Sequence, residues 1–222
     1  MIIAIDGPVG SGKSTIAKLV AQKLGFTYID TGAMYRAVAL KIIKTKTPLK
    51  VSEIVKMMEN TKIDLVQTEE GLKVYLDGED VTEEIRTEDV AKLASQIARY
   101  GEIRKRLVQF QRKLGERAGN VVIEGRDTGT VIFPNAELKI YLTASPEERA
   151  RRRYEQLKEK GFNVPFEHLV EKIRERDKMD MERKESPLKP AEDSVIIDTT
   201  DKTIDEVVEI IINLAKERMK KS

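Results

Sequence analysis

The chain has no cysteine and no tryptophan, a single histidine, and aromatic residues at only 5% of its 222 positions. Without cysteine there are no disulfides, no thiolate metal sites and no cysteine nucleophile. One histidine cannot build a histidine-rich metal centre. Its setting, "PFEHLV", makes His168 a surface or half-buried helix residue rather than a catalytic one. No stretch approaches about 18 consecutive apolar residues, and the opening "MIIAIDG" is too short and uncharged for a signal peptide. A soluble cytoplasmic protein is therefore expected. The net charge of +2 argues against general binding to a nucleic acid polymer or a membrane surface.

What is abundant is charge of both signs, 35% of residues against roughly 25% in an average domain. The length suits one well-filled core, or a core domain with a modest insertion. Short apolar runs alternate with helical patterns. "IIAID" precedes a helix with Ile16, Leu19, Val20 and Leu24 at helical spacing, closed by Gly25. "FTYID" precedes a helix from about Ala33 to Lys44. Further along come a long helix through Ile103, Leu107, Phe110 and Leu114, the strands "VVIE" and "LKIYL", and helices from Pro146 and about Phe166. The strand "SVIID" and a helix opening on Thr203 and Glu206, with Val207, Ile210, Ile211 and Leu214 inward, complete the series. Strands separated by crossover helices predict an α/β protein with a parallel sheet. Residues 62–82 differ: two alternating runs joined by a polar, glycine-containing turn predict an antiparallel hairpin. Residues of about 60–95 read as a small inserted lobe, although the same pattern suits a hairpin extending the main sheet.

"GPVGSGKST" (Gly7, Pro8, Val9, Gly10, Ser11, Gly12, Lys13, Ser14, Thr15) fits G-x-x-x-x-G-K-[ST] and lies between a predicted strand and a predicted helix. Its glycines let backbone N–H groups point at phosphate oxygens, and the helix N-terminus adds its dipole. Lys13 can reach the terminal phosphates, and the Ser14 hydroxyl can ligate magnesium, largely through water. A nucleoside triphosphate is the expected ligand, but motors, switches and kinases share this loop.

Ligands of open parallel sheets sit outside the carboxyl ends of the strands. Those ends carry the phosphate loop, "DTGAMYRA", "EGRDTG" and "TASPEERARRR". The third is a packet of charge within "VVIEGRDTGTVIFP", flanked on both sides by strand-forming runs. The blocks "IDGPVGSGKST", "DTGAMYRAVAL", "GEDVTEEIRTEDVAKLASQIA" and "GRDTGTVIFPNAELKIYLTASPEERARRR" resemble the bacterial cytidylate kinases, from Ile3 to about the final helix. The resemblance implies a nucleoside monophosphate kinase of the P-loop class, passing the γ-phosphoryl group of ATP to CMP or dCMP with Mg2+. It implies a five-stranded parallel core (1–59 and 96–222), a monophosphate-binding insertion (60–95), a helical lid (about 149–185) and a monomer.

Carried over by position, Thr31 and Arg36 would hold the acceptor phosphate, and Ser95, Arg104 and Asp127 would meet the cytosine. Arg126 would face the phosphates, Arg176 and Asp180 the sugar end of CMP, and Arg183 would lean over the phosphates. Arg152, binding ATP, and Arg153, with a catalytic role, would be the lid arginines, two of the four in the run Arg149, Arg151, Arg152, Arg153, with the others solubilising. The chemistry agrees: cytosine offers an exocyclic amino donor beside acceptors, which a carboxylate and a guanidinium match, whereas uracil would face Asp127 acceptor to acceptor. Arg176, Asp180 and Arg183, spaced i, i+4, i+7, would share one helix face, a spacing that a solvated salt-bridge stripe also has. Glu124 either orients magnesium-bound water or is an ordinary strand-end acid. A kinase of another small acceptor such as shikimate would share the loop and lid but has no evident use for the inserted lobe or "EGRDTGTVIFP". A nonenzymatic nucleotide switch would need loops that rearrange on hydrolysis and a residue positioning the attacking water.

Overall fold

A computed structural model describes residues 1–69 and 71–220. In chain order the elements are β1 (Ile2–Asp6), α1 (Lys13–Leu24), β2 (Thr27–Asp30), α2 (Thr31–Thr45), α3 (Val51–Glu59), β3 (Ile63–Thr68), β4 (Gly71–Leu76) and β5 (Glu79–Asp80). They continue as α4 (Glu88–Ile97), α5 (Gly101–Ala118), β6 (Val121–Gly125), β7 (Leu138–Thr143), α6 (Pro146–Glu159), α7 (Phe166–Met181), β8 (Val195–Asp198) and α8 (Ile204–Met219).

Five strands form a parallel sheet in the order β2-β6-β1-β7-β8, and β3-β4-β5 form a separate antiparallel sheet. The hairpin is thus an insertion and not an extension of the main sheet. Central strands of a parallel sheet are covered on both faces, which is why β1, β6 and β7 are near-continuous apolar runs. Ile3, Ile5, Val122, Leu138, Ile140 and Leu142 pack against α1 and α8 on one face. On the other, Ala4, Ile29, Val121 and Ile123 meet Val108 of α5 and Ile132. A second core joins α2 and α3 to the small sheet, α4 and α5. Among the described residues no helix is long and apolar enough to cross a membrane.

Side-chain caps open α2, α6 and α8. The Asp30 side chain accepts from Ala33 N (2.9 Å), so α2 opens at Thr31, two residues before the expected start. Ser145 caps α6 with Pro146 in its first turn, and Thr203 with Glu206 forms the expected capping box of α8. The inward face of α8 is turned from the expected one: Val208, Ile212 and Ala215 are buried with Val207 and Ile211, while Ile210 and Leu214 lie at its margin.

Two local features matter for the site. The strand-forming residues after the charged packet do not extend β6; Thr128–Ile132 winds into a π-helical turn in which Val131 N (2.9 Å) and Ile132 N (3.1 Å) donate to Asp127 O. Arg183 is not on the face of α7, because the helix ends at Met181. Beyond it Ser186 takes a left-handed φ of 52°, and Arg183 Nη2 donates to Ser186 O (2.9 Å).

Candidate active site

Strand order reverses between β6 and β1, whose carboxyl ends lie side by side with Asp6 opposite Gly125. The phosphate loop and the charged packet therefore adjoin. Close packing fixes both. A Cβ at Gly7 would stand 2.2 Å from Leu142 O, and one at Gly125 would stand 2.5 Å from Thr31 Oγ1. Asp6, which sequence reasoning passed over, ties the two segments together. Its Oδ1 accepts from Thr128 N (2.8 Å) and Thr128 Oγ1 (2.9 Å), and its Oδ2 from Gly129 N (2.8 Å). Burial pushes this carboxyl up to about 6, with help from the Asp127 charge and against the three hydrogen bonds.

On the triphosphate side, Lys13 is buried and donates to Pro8 O (2.7 Å). Burial first, then the Arg126 charge, draws its pKa down, against the carboxylates of Glu124, Asp6 and Asp180. Ser14 Oγ donates to Glu124 Oε1 (2.5 Å), which also accepts from Tyr28 OH (3.0 Å). Glu124 is 4% exposed, and burial followed by the Asp30 charge raises its pKa. Ser14 and Glu124 thus present oxygen donors at the head of α1, a set that suits a hard cation such as Mg2+. No cluster of three or more His, Cys, Asp or Glu side chains able to hold a metal occurs among the described residues. An ion held there would take most of its ligands from phosphate and water.

The residues expected around the acceptor come from six segments. Asp127 and Arg104 form a buried ion pair, Arg104 Nη1 donates to Ala98 O (3.0 Å), and its guanidinium lies 5.5 Å from the centre of the Tyr35 ring. Asp180 is surrounded by arginines: Arg126 Nε at 3.1 Å, Arg176 Nε at 3.3 Å and Arg183 Nη1 at 4.0 Å. Burial alone would raise Asp180; the three guanidiniums outweigh it and hold the carboxyl below its usual range. Arg176 also reaches Ser95 Oγ, and Lys172 pairs with Glu88 (3.2 Å), so α7 rests on α4. Tyr35 OH, Arg104 Nε and Arg183 Nε are buried without a protein partner. Four guanidiniums face two carboxylates here, with unpaired donors among them, which is an environment suited to a polar anion.

Thr31 Oγ1 donates to Glu124 O (2.8 Å), and Arg36 pairs with Asp30 (2.8 Å). Arg36 and Ser14 border a cleft of about 1140 Å³ between α1 and the small sheet, which Tyr28, Asp30 and Arg86 also line.

The arginine run of α6 divides differently from expectation. Arg149, one of the two not assigned to the nucleotide, is 3% exposed and fully engaged, not solubilising; a buried guanidinium needs such partners. Arg151 is exposed between Glu148 and Glu155, as a solubilising residue would be. Arg152 donates to Thr199 O (2.6 Å), Thr199 Oγ1 (3.0 Å) and Glu148 Oε1 (2.9 Å), while Arg153 is exposed. His168 lies exposed on α7. Asp177 and Thr199, partners of these arginines, had no local signal in the sequence; Asp6 had one, a carboxylate directly before the phosphate loop.

The sequence pattern of the family described as cytidylate kinase matches residues 3–217. Curated relatives named cytidylate kinase include those of Caldanaerobacter subterraneus subsp. tengcongensis (50% identical, covering 98% of this chain and 96% of the relative) and Bacillus subtilis (48%, covering 97% and 96%). That of Caldicellulosiruptor bescii is 48% identical, covering 96% of this chain and 94% of the relative. A solved structure of an uncharacterized protein from Eubacterium ventriosum covers 98% of both chains with a TM-score of 0.53 at 15% identity, a likeness of fold alone.

Proposed function

Because the chain belongs to the cytidylate kinase family, we infer that it transfers the γ-phosphoryl group of ATP to CMP and dCMP, giving CDP and dCDP. The observation that carries this reading is the surplus of guanidiniums around Asp127 and Asp180, next to the phosphate loop.

In this assignment Gly7 to Thr15 wrap the triphosphate, with Lys13 at its terminal phosphates. Mg2+, held by Ser14 Oγ and phosphate oxygens, would supply charge neutralisation. Thr31 and Arg36 take the acceptor phosphate. Asp127 accepts from the cytosine amino group, Arg104 and Ser95 donate to the ring, and Arg176 with Asp180 orients the sugar. The acceptor phosphate is already ionised at neutral pH, so no general base is needed; positioning and charge neutralisation by Lys13, Arg126 and Arg183 perform the catalysis. Arg152 and Arg153 belong to a lid of about residues 149–185 that excludes water and suppresses wasteful hydrolysis of ATP. Gly161, with a left-handed φ of 81°, supports a bend between its helices. Residues 60–95 act as the monophosphate-binding lobe on a core of 1–59 and 96–222. The enzyme works as a cytoplasmic monomer.

One panel tests the reading: ADP formation with CMP, dCMP, UMP, AMP, shikimate and no acceptor. ADP release is expected with CMP and dCMP far above the others. Equal release without acceptor, or release with AMP or shikimate alone, would overturn it.

A further inference from the structure

The Arg149 guanidinium makes four hydrogen bonds, and none of the assigned roles uses it. It stands in the first turn of α6. Its Nε donates to Ala144 O (3.0 Å), and Nη1 donates both to Val9 O (3.0 Å) and to Asp177 Oδ1 (2.9 Å). Nη2 completes a two-pronged pair with Asp177 Oδ2 (2.6 Å). Such a planar fork fixes orientation as well as distance.

The partners are as informative as the geometry. Val9 lies at the crest of the phosphate loop, and its side chain packs into the cluster of Ala150, Leu169 and Ile173 between α6 and α7. The neighbouring Gly10 has a φ of 75°, and a Cβ there would come within 3.1 Å of Arg149 Cβ. The loop that wraps the triphosphate is thus seated against Arg149. At the other end, Asp177 directly follows Arg176 and precedes Asp180 by three residues on the same rigid helix. A change in the loop at Val9 must either carry Arg149 and α7 with it or break the Arg149–Val9 hydrogen bond.

We propose that Arg149 and Asp177 are positioning residues that couple the two substrates: triphosphate in the loop sets the placement of α7, and through it of Arg176 and Asp180. The proposal rests on the kinase reading above. Coupling of this kind is reciprocal and is measured as a ratio of affinities.

The test is calorimetric binding of CMP, with and without a nonhydrolysable ATP analogue and magnesium, to the wild type, Arg149→Lys, Asp177→Asn and the double variant. In the wild type the analogue should tighten CMP binding at least about fivefold. In folded variants each ligand alone should bind within about threefold of wild type while that factor falls toward one. The double variant should be no worse than either single one. Folded variants that keep the wild-type factor, or a wild type with no factor at all, would overturn the proposal.

A second measurement serves where the variants do not fold and needs no CMP: hydrogen exchange of the wild type with the ATP analogue alone. Added protection of α7 around residues 176–180 is expected, and an unchanged α7 would refute the coupling. A wild type that binds the analogue and protects α7 but ignores CMP would instead overturn the acceptor assignment.

Discussion

Two buried ionic clusters lie about one turn apart on α7, and they are balanced differently. Around Asp177 one guanidinium meets one carboxylate in a closed fork, with the remaining donors on backbone carbonyls. Around Asp127 and Asp180 four guanidiniums share two carboxylates, and Arg104 Nε and Arg183 Nε have no partner. A balanced buried pair is complete in itself, whereas a positive surplus with unpartnered buried donors costs free energy until an anion arrives. Charge imbalance, and not charge density, distinguishes where a substrate phosphate would sit from where two helices are locked together.

The largest expected effects should fall on opposite properties. Asp177→Ala leaves Arg149 buried without its counter-ion and should cost about 3–5 kcal/mol of stability in denaturant unfolding. Arg126→Met removes one member of the surplus, so its unfolding free energy should change by less than about 1 kcal/mol while kcat falls roughly 10²–10³-fold. If Arg126→Met unfolds the protein and Asp177→Ala does not, the contrast between the clusters is wrong.

Asp6 sharpens the comparison, since it is a buried carboxylate that among the described residues pairs with no cation and is held by N–H and O–H donors. Its pKa rises from 3.8 to about 6 on folding. A raised value means that the folded chain holds the proton more tightly. This contribution is fully present below about pH 3.8 and is lost as pH rises through about 6. Asp6→Asn cannot titrate. The stability of the wild type minus that of Asp6→Asn should therefore fall by on the order of 3 kcal/mol between about pH 4 and pH 6. A flat difference would mean that burial does not govern Asp6.

A smaller effect concerns which base the surplus cluster accepts. Asp127→Asn replaces an acceptor-only carboxylate by an amide that can donate to the uracil carbonyl. The ratio of kcat/KM for CMP to that for UMP should fall by about 10–100-fold, corresponding to roughly 1–3 kcal/mol. An unchanged ratio would remove Asp127 from base recognition.

Much of this architecture was legible in residue order. Apolar runs at "IIAID", "VVIE" and "LKIYL" predict buried parallel strands, and the two alternating runs of 62–82 predict the hairpin, because both patterns depend on neighbours in sequence. The phosphate loop was legible for the same reason: its chemistry is local. The contacts that make the clusters were not. Asp177 is 28 residues from Arg149, and Thr199 is 47 from Arg152. The run "TGTVIF" has strand composition but turns as a π-helix, since the strand must end where Asp6 captures Thr128 and Gly129. Arg183 followed α7 in spacing only; the helix ends at Met181, two residues before it.

The finest test lies in neighbouring arginines of α6 that the sequence assigned alike. Arg152 is anchored to Thr199 by two donors, so Arg152→Ala removes both bonds, leaves Thr199 O only its 3.3 Å bond from Lys202 N, and should lower stability by about 1 kcal/mol. Arg153 is exposed, and truncating it should leave stability within about 0.5 kcal/mol of wild type. If Arg153 reaches ATP when the lid closes, the loss of one solvent-screened ion pair should raise KM for ATP by up to about fivefold and leave KM for CMP unchanged. Equal effects on both KM values would place Arg153 outside the triphosphate site.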